Sequence, residues 1–579
     1  MGAADATLTE ALGLLDTTWL DVRDSVLNDR HLIWIGSGVS RDRLPALPAL
    51  LERLFARLHS AQDPANPDCP YFKAAEEIVR DFAHIDLTGL DFRQSPAAWP
   101  PAVKNDLFTQ LTGRYAEVLG RNVNASGGVQ DIPFGILRLD ETYSDPAVTP
   151  DAEHRFLALL IAEGSASQVV TTNWDPLIER AHQSLGIGSG LWVIACTEEL
   201  DGVVGNSIVF KVHGCADRSR IEPTRYKSFM VATHNQITRW SHEERFRPFF
   251  EKLRTLLRSR PSLFVGISGQ DFNLQSQCVS ASCTGPAFGF PPTRVIFSGA
   301  IGVPQRHILE AFHGENYATN ADAINIAAAL PLYGKPLFGA LYVSLLFEKI
   351  RVILDLGETD FASDEHRMLA RAGTVTLRGL LCTRFDAFDA DTRWRLLASE
   401  LPAFLTRLLE IYRNQRIPAN SENYAYLHKS NPSLMAADQN LTSLNLHWLY
   451  LSLATISAAA AVPWQLHPPI EASGSDGQIR VMTSSGYTSL FFLRQGVTSL
   501  QQLELTGAIT AGSGRKILLV YPVGSERKPL RRSPGMVLPG IHPTVGPREV
   551  WFEDCARESP STADLVTLLK QEIIAAHPI

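Results

Sequence analysis

Cysteine is scarce and unorganised in this chain of 579 residues. The seven cysteines, Cys69, Cys196, Cys215, Cys278, Cys283, Cys382 and Cys555, are odd in number and scattered, and none forms a CxxC pair. That pattern excludes a disulfide framework and fits a reducing cytoplasm. Cys278 and Cys283 stand closest together, but no second pair of ligands lies near them, so no zinc is expected. A dominant charge sign is also missing. With 53 basic against 61 acidic residues the formal net charge is -8, which argues against direct nucleic-acid binding across the whole surface. The opening "MGAADATLTE" lacks the basic and apolar regions of a signal peptide. Ala6 stands where a myristoylation signal wants Ser or Thr. One uncharged run, residues 448–464, is at the short limit for a membrane span and is stopped by Pro463; it reads as a buried helix. There is no internal repeat, heptad run or low-complexity tract.

What is present is an ordinary globular balance, 45% hydrophobic and 20% charged, over a length that calls for two to four domains. An amphipathic helix over 8–29 leads into the apolar run 31–35. Residues 61–150 read as a Pro-broken helical layer. Then "SQVVTTN" (167–173), "LWVIAC" (191–196), "SIVFKVHG" (207–214), "SLFVGIS" (262–268) and "TRVIFSG" (293–299) read as strands between helices, among them 151–163, 175–186 and 241–260, the last opened by Ser241 with Glu244. Strands alternating with helices predict an α/β fold with a Rossmann-like parallel sheet and a helical insertion. Beyond about 300 the texture changes to helices, then from 478 to 552 to strands, of which "RKILLVYP" (515–522) is the clearest. The expected division is a catalytic domain over 1–300 with the insertion at about 61–150, a helical connector over 301–360, and a C-terminal mixed α/β or α+β domain over 361–579.

Ligands of a parallel sheet gather at the carboxyl ends of its strands. Four strands here end unusually: in Gly36-Ser37-Gly38-Val39-Ser40, in Thr171-Thr172-Asn173-Trp174-Asp175, in Lys211-Val212-His213-Gly214, and in Gly266-Ile267-Ser268-Gly269-Gln270-Asp271. Each alone has a plain reading. The glycine run is a tight turn or a phosphate cradle. Asp175 before Pro176 is a helix cap, and a lone histidine is more often structural than catalytic. Four polar strand ends along one sheet edge make a cleft.

Together and in this order, the four segments resemble the motif set of the sirtuins. They are similar to its divergent prokaryotic branch, many of whose members are NAD-consuming effectors of antiphage defence. The interval that holds a four-cysteine zinc module in protein deacylases contains only Cys196 and Cys215, and the segment after the glycine run is reduced to "RLPAL". The resemblance implies NAD+ as substrate and no zinc. It implies Asn173 and His213 as the catalytic pair. Gly36, Gly38 and Ser40 would cradle the pyrophosphate, Ser37 would belong to the cofactor-binding set, Gly266 and Ser268 would lie by the adenosine ribose, and Asp271 would accept from ribose hydroxyls. Thr172 would belong to the same binding shell. Asp175 would either support that shell or cap the following helix. Cleavage of the ribose–nicotinamide bond builds oxocarbenium character. An imidazole is suited to act as base, and an amide can donate and accept at once. The implied activity is NAD+ hydrolysis in an effector that depletes NAD+ and aborts infection. Two other readings stand beside it: a non-catalytic NAD or ADP-ribose sensor, and a deacylase or ADP-ribosyltransferase. The implied partners are further copies of the chain, a HerA-type ATPase or a short Argonaute. "SERKPLRR" (525–532) reads as a solvated loop.

Overall fold

The computed structural model describes residues 3–84, 90–125, 128–188, 190–202, 207–240, 242–270, 274–275, 295–356, 364–414, 423–438, 441, 449, 452–453, 455–456, 465–467, 478–483, 486–493, 517–521 and 548–576. Asp271, Cys278, Cys283, Ser241, Pro463 and the 525–532 cluster lie outside these.

Seven short strands form one parallel sheet: β1 (Leu32–Ile35), β2 (Gln168–Thr171), β3 (Leu191–Ile194), β4 (Ser207–Lys211), β5 (Ser262–Val265), β6 (Val295–Ser298) and β7 (Ala329–Leu330), in the order β3-β4-β2-β1-β5-β6-β7. This is the Rossmann-like architecture expected. Successive side chains of a strand point to opposite faces, and a parallel sheet buries both. Ile33 and Ile35 of β1 accordingly join Val169, Leu263 and Val265 in one core. Leu32 and Trp34 join Val170, Phe210 and Phe264 in the other. In that second core Trp34 stacks on Phe264 at 5.1 Å and Phe264 on Phe297 at 4.8 Å, an aromatic row across three strands.

The chain leaves β1 toward β2 on one side and returns to β5 on the other. In sheets of this kind a reversal of that sort is where ligands bind, outside the carboxyl ends of the central strands. One register row crosses the four strands: Val265 beside Ile35, Ile35 beside Thr171, Thr171 beside Lys211. Each of the four unusual strand ends leaves the sheet from this row.

Helices Pro70–Phe82 and Pro101–Gly113 of the insertion build a core with helix Leu47–Ser60, which precedes it. The insertion also carries a hairpin, Asn122–Ala125 with Gly128–Asp131, within what reads as a mostly helical stretch. The expected helix over 8–29 is two helices, Leu8–Asp16 and Leu20–Leu27. The expected helix over 241–260 begins as helix only at Arg247, after a 3-10 turn over Glu244–Phe246. The sheet also continues past residue 300: β7 pairs with β6, and helix Lys335–Leu356 packs on helix Ala152–Ala162. A second sheet, β8 (Gln465–His467), β9 (Gln478–Thr483), β10 (Gly486–Phe492), β11 (Ile517–Tyr521) and β12 (Arg548–Trp551), is sequential in order. Its first two pairings are antiparallel and its last two parallel.

Candidate functional site

The turn after β1 is bare because another backbone lies against it. A Cβ on Gly36 would collide with the Gly266 carbonyl oxygen, and one on Gly38 with the Tyr333 hydroxyl. Gly266 itself sits at φ +69, where a side chain is strained. The loops after β1 and β5 are thus fused. Gly36 N–H donates to Val265 O, Gly38 N–H to Gly266 O at 3.1 Å, Val39 N–H to Gly36 O and Ser40 N–H to Ser37 O. These four donors are engaged inside the protein. Ser37 and Ser268 remain exposed, and Gly38 and Gly266 half-buried.

The loop after β2 turns sharply because the Thr171 hydroxyl accepts the Asn173 N–H at 3.0 Å, while Thr172 N–H reaches back to Ile35 O. Trp174 points into the insertion. Its Nε1 donates to Val231 O at 3.1 Å and its ring meets Tyr143 edge-on at 5.2 Å. Asn173 is then held toward β1: Nδ2 donates to Gly36 O and to Ser40 Oγ, each at 3.2 Å. Gly36 O fixes the amide's orientation, since an oxygen facing it would repel. Asn173 Oδ1 is fully buried and has no hydrogen-bond partner, although a buried polar atom ordinarily has one.

Asp175 Oδ1 accepts the Leu177 N–H at 3.1 Å at the start of helix Leu177–Ser184. Its carbonyl accepts from Lys211 Nζ, which also meets Glu179 Oε1 at 2.9 Å. Lys211 is completely buried. Burial opposes its charge, but the Glu179 carboxylate outweighs that and raises its pKa. Lys211 therefore locks the β4 end to the loop and helix that follow β2. His213 lies two residues beyond the register row, as does Asn173 on the adjacent strand. It is 8% exposed, with its ring edge-on to Trp240 at 5.4 Å. Gly214, at φ +83, lets the chain turn away under Phe229.

Two parts of the site were not legible beforehand. His154, on helix Ala152–Ala162, reaches Ser40 Oγ with Nε2 at 3.1 Å. Asp151 caps that helix, its Oδ1 accepting the Ala152 N–H at 2.8 Å. The histidine at the third helical position, where a capping box ordinarily has Glu or Gln, was the available signal. The second is the segment Tyr333-Gly334-Lys335. Lys335 Nζ lies 3.0 Å from Asp151, 3.0 Å from Asp391 and 3.3 Å from Asp42. It ties the loop after β1 to helix Ala390–Asn414, while Arg41 stacks over the Tyr333 ring at 4.9 Å.

The structure thus brings Gly36, Gly38, Ser40, Asn173 and Gly266 into one contact set and places His213 on the neighbouring strand end. Asp271 lies outside the described residues. Among the described residues no group of three or more His, Cys, Asp or Glu side chains could hold a metal ion, and no helix is long and apolar enough to cross a membrane. A cavity of about 190 Å³ between helices Ala152–Ala162 and Ala390–Asn414 is lined by Arg155, Leu159, Thr406 and Tyr424 and by none of the four strand ends.

Residues 167–310 match the SIR2-like domain family. The match takes in the ends of β2, β4 and β5, and stops short of the glycine turn after β1. A SIR2-like domain points to NAD-related activity. No curated protein matches the chain.

Proposed function

We propose that this chain hydrolyses NAD+ to nicotinamide and ADP-ribose at the crevice between β1, β2 and β4. The observation that carries the reading is the buried Asn173 carbonyl oxygen without a partner, one strand away from His213. A buried acceptor left open costs free energy unless a ligand completes it. A ribose hydroxyl, a donor and acceptor at once, is the right complement. The SIR2-like match over three of the four strand ends supports NAD+ as the molecule that brings it.

In this reading the bond from ribose C1′ to the pyridinium nitrogen breaks, and its electron pair neutralises the departing nicotinamide. Asn173 holds the ribose as positive charge spreads over C1′ and the ring oxygen. Water adds to C1′, and His213 accepts the proton it sheds. Ser37 and Ser268, exposed at the mouth of the crevice, would meet the pyrophosphate and the adenosine ribose. Within the same proposal, the chain serves as an NAD-depleting effector of antiphage defence, and the region after 361 serves assembly or docking of a partner protein.

The test is nicotinamide release from NAD+ by the full chain without an acceptor substrate, alone and in lysate of phage-infected cells. Asn173→Ala and His213→Ala should each lower the rate at least about a hundredfold, measured on protein that circular dichroism shows to be folded. Turnover that needs an acylated peptide, or that survives both substitutions, sinks the proposal. Tight NAD+ binding without cleavage under either condition would favour a sensor.

A further inference from the structure

We propose that His154 is a positioning residue that, through Ser40, aims a hydroxyl donor beside the open Asn173 carbonyl oxygen, so that the two select one hydroxyl of the ligand's ribose. This deepens the NAD+ reading and rests on it.

The argument is a count of protons. His154 Nδ1 lies 3.3 Å from the Asp151 backbone nitrogen, which can only donate. Nδ1 must therefore offer its lone pair, and the neutral ring carries its proton on Nε2. Burial lowers the His154 pKa, which keeps that neutral form. Nε2–H then donates to Ser40 Oγ at 3.1 Å. The same oxygen accepts from Asn173 Nδ2, whose orientation Gly36 O fixes. Ser40 Oγ thus receives two donors, and neither can accept its own proton. The Ser40 side chain is buried, at 3% exposure for the residue, so that proton is held in place with no acceptor in the protein. Next to it, Asn173 Oδ1 is an acceptor with no donor. One donor and one acceptor, fixed side by side by the same amide, match a hydroxyl that accepts from Ser40 and donates to Asn173. A phosphate oxygen cannot do this, since it has no proton to give at neutral pH. The geometry therefore assigns Ser40 to a sugar hydroxyl and not to the pyrophosphate, and makes His154 the residue that sets its direction. If His154 were absent, the Ser40 proton could turn into the vacated space.

The experiment measures binding by calorimetry on the full chain in a His213→Ala background, so that NAD+ stays intact. The ligands are NAD+ and its 2′-deoxy and 3′-deoxy analogues in the nicotinamide ribose. The parent should bind NAD+ at least about tenfold more tightly than one of the two analogues. Adding His154→Phe should bring that ratio to within about twofold by weakening NAD+ alone. Adding His154→Gln should restore it, because the amide can accept from Asp151 N–H and donate to Ser40. Ser40→Ala should erase the ratio as well, which keeps the test decisive if His154→Phe does not fold. A ratio unchanged in His154→Phe or Ser40→Ala overturns the inference. So does an equal weakening of all three ligands, which would mark a merely structural role. In both cases NAD+ cleavage by the unsubstituted protein stands untouched. If the parent binds no NAD+, the hydrolase reading and this inference fall together.

Discussion

Glu153 is the most unusual single residue near the site. It is 5% exposed, its Oε2 has no partner, and Gly334 packs against its Oε1. Burial outweighs Lys335 and, with Asp151 and Asp42 adding repulsion, pushes its pKa up to about 8. In an unfolded chain the group titrates near about 4.3. Between these values the folded state keeps a proton that the unfolded state gives up. Its contribution to stability is therefore full below about pH 4.3 and is lost as pH rises to about 8. His154 works in the opposite direction. Burial lowers its pKa, so its share of stability is present above about pH 6.5 and is lost on acidification. Glu153→Gln keeps the shape and removes the titration. It should match the wild type in urea unfolding at pH 5 and exceed it by on the order of 1–3 kcal/mol at pH 8.5. An equal difference at both pH values would contradict the assignment. At this scale Asn173 and His213 could be picked out in advance, because each follows an apolar run that ends abruptly in polar residues. His154, Tyr333 and Lys335 could not, because their roles rest on contacts with residues distant in the chain.

Among the elements, the clearest joint is the completely buried pair Lys349–Glu163, 2.6 Å apart. Lys349 lies on helix Lys335–Leu356, and Glu163 caps helix Ala152–Ala162. Glu163 also accepts from the Tyr424 hydroxyl and from Leu427 N–H at 3.0 Å, and Lys349 donates to His428 O. One ion pair thus joins three segments. Removing one partner of a buried pair leaves a stranded charge, so Lys349→Met should cost about 3–5 kcal/mol. Lys349→Met with Glu163→Gln should recover part of that in a double-mutant cycle, since a glutamine still accepts from Leu427 N–H. No recovery would mean that packing around the lysine stem, and not charge, holds the joint. The strands were legible because short apolar runs between helices have few alternatives. β7 was not: two residues carry no period, and only their pairing with β6 makes them a strand. The hairpin in the insertion was hidden for a related reason, since its exposed strand Gly128–Asp131 shows no apolar alternation.

In the molecule as a whole, one apolar cluster reaches from Ala6 and Leu8 through the β1 face of the sheet to helix Lys335–Leu356, helix Ala390–Asn414, the second sheet and Ile573. The textural change near residue 300 is a change of secondary structure and does not mark a gap in the core. A fragment of residues 1–300 would lose β7 and helix Lys335–Leu356 and would uncover the faces of helices Leu8–Asp16, Leu20–Leu27 and Ala152–Ala162 that pack on that helix. An apolar face of that size is not left in water by a stable domain. The fragment should aggregate or lack near-ultraviolet circular dichroism, whereas the full chain unfolds cooperatively. A monomeric fragment with a sharp thermal transition would show that the sheet stands without its later helices.

The shared departure line of the four loops has a mechanical corollary. Their heights above the sheet are set by hydrogen-bond registration between strands, so lengthening the peptide between strands leaves them level. The whole span from 41 to 150 could be rebuilt without lifting Asn173 relative to His213. A single residue spliced into Gln168–Thr171 would do the reverse. It would turn the amide toward the wrong side of the sheet and disable the crevice while every other residue stayed in place.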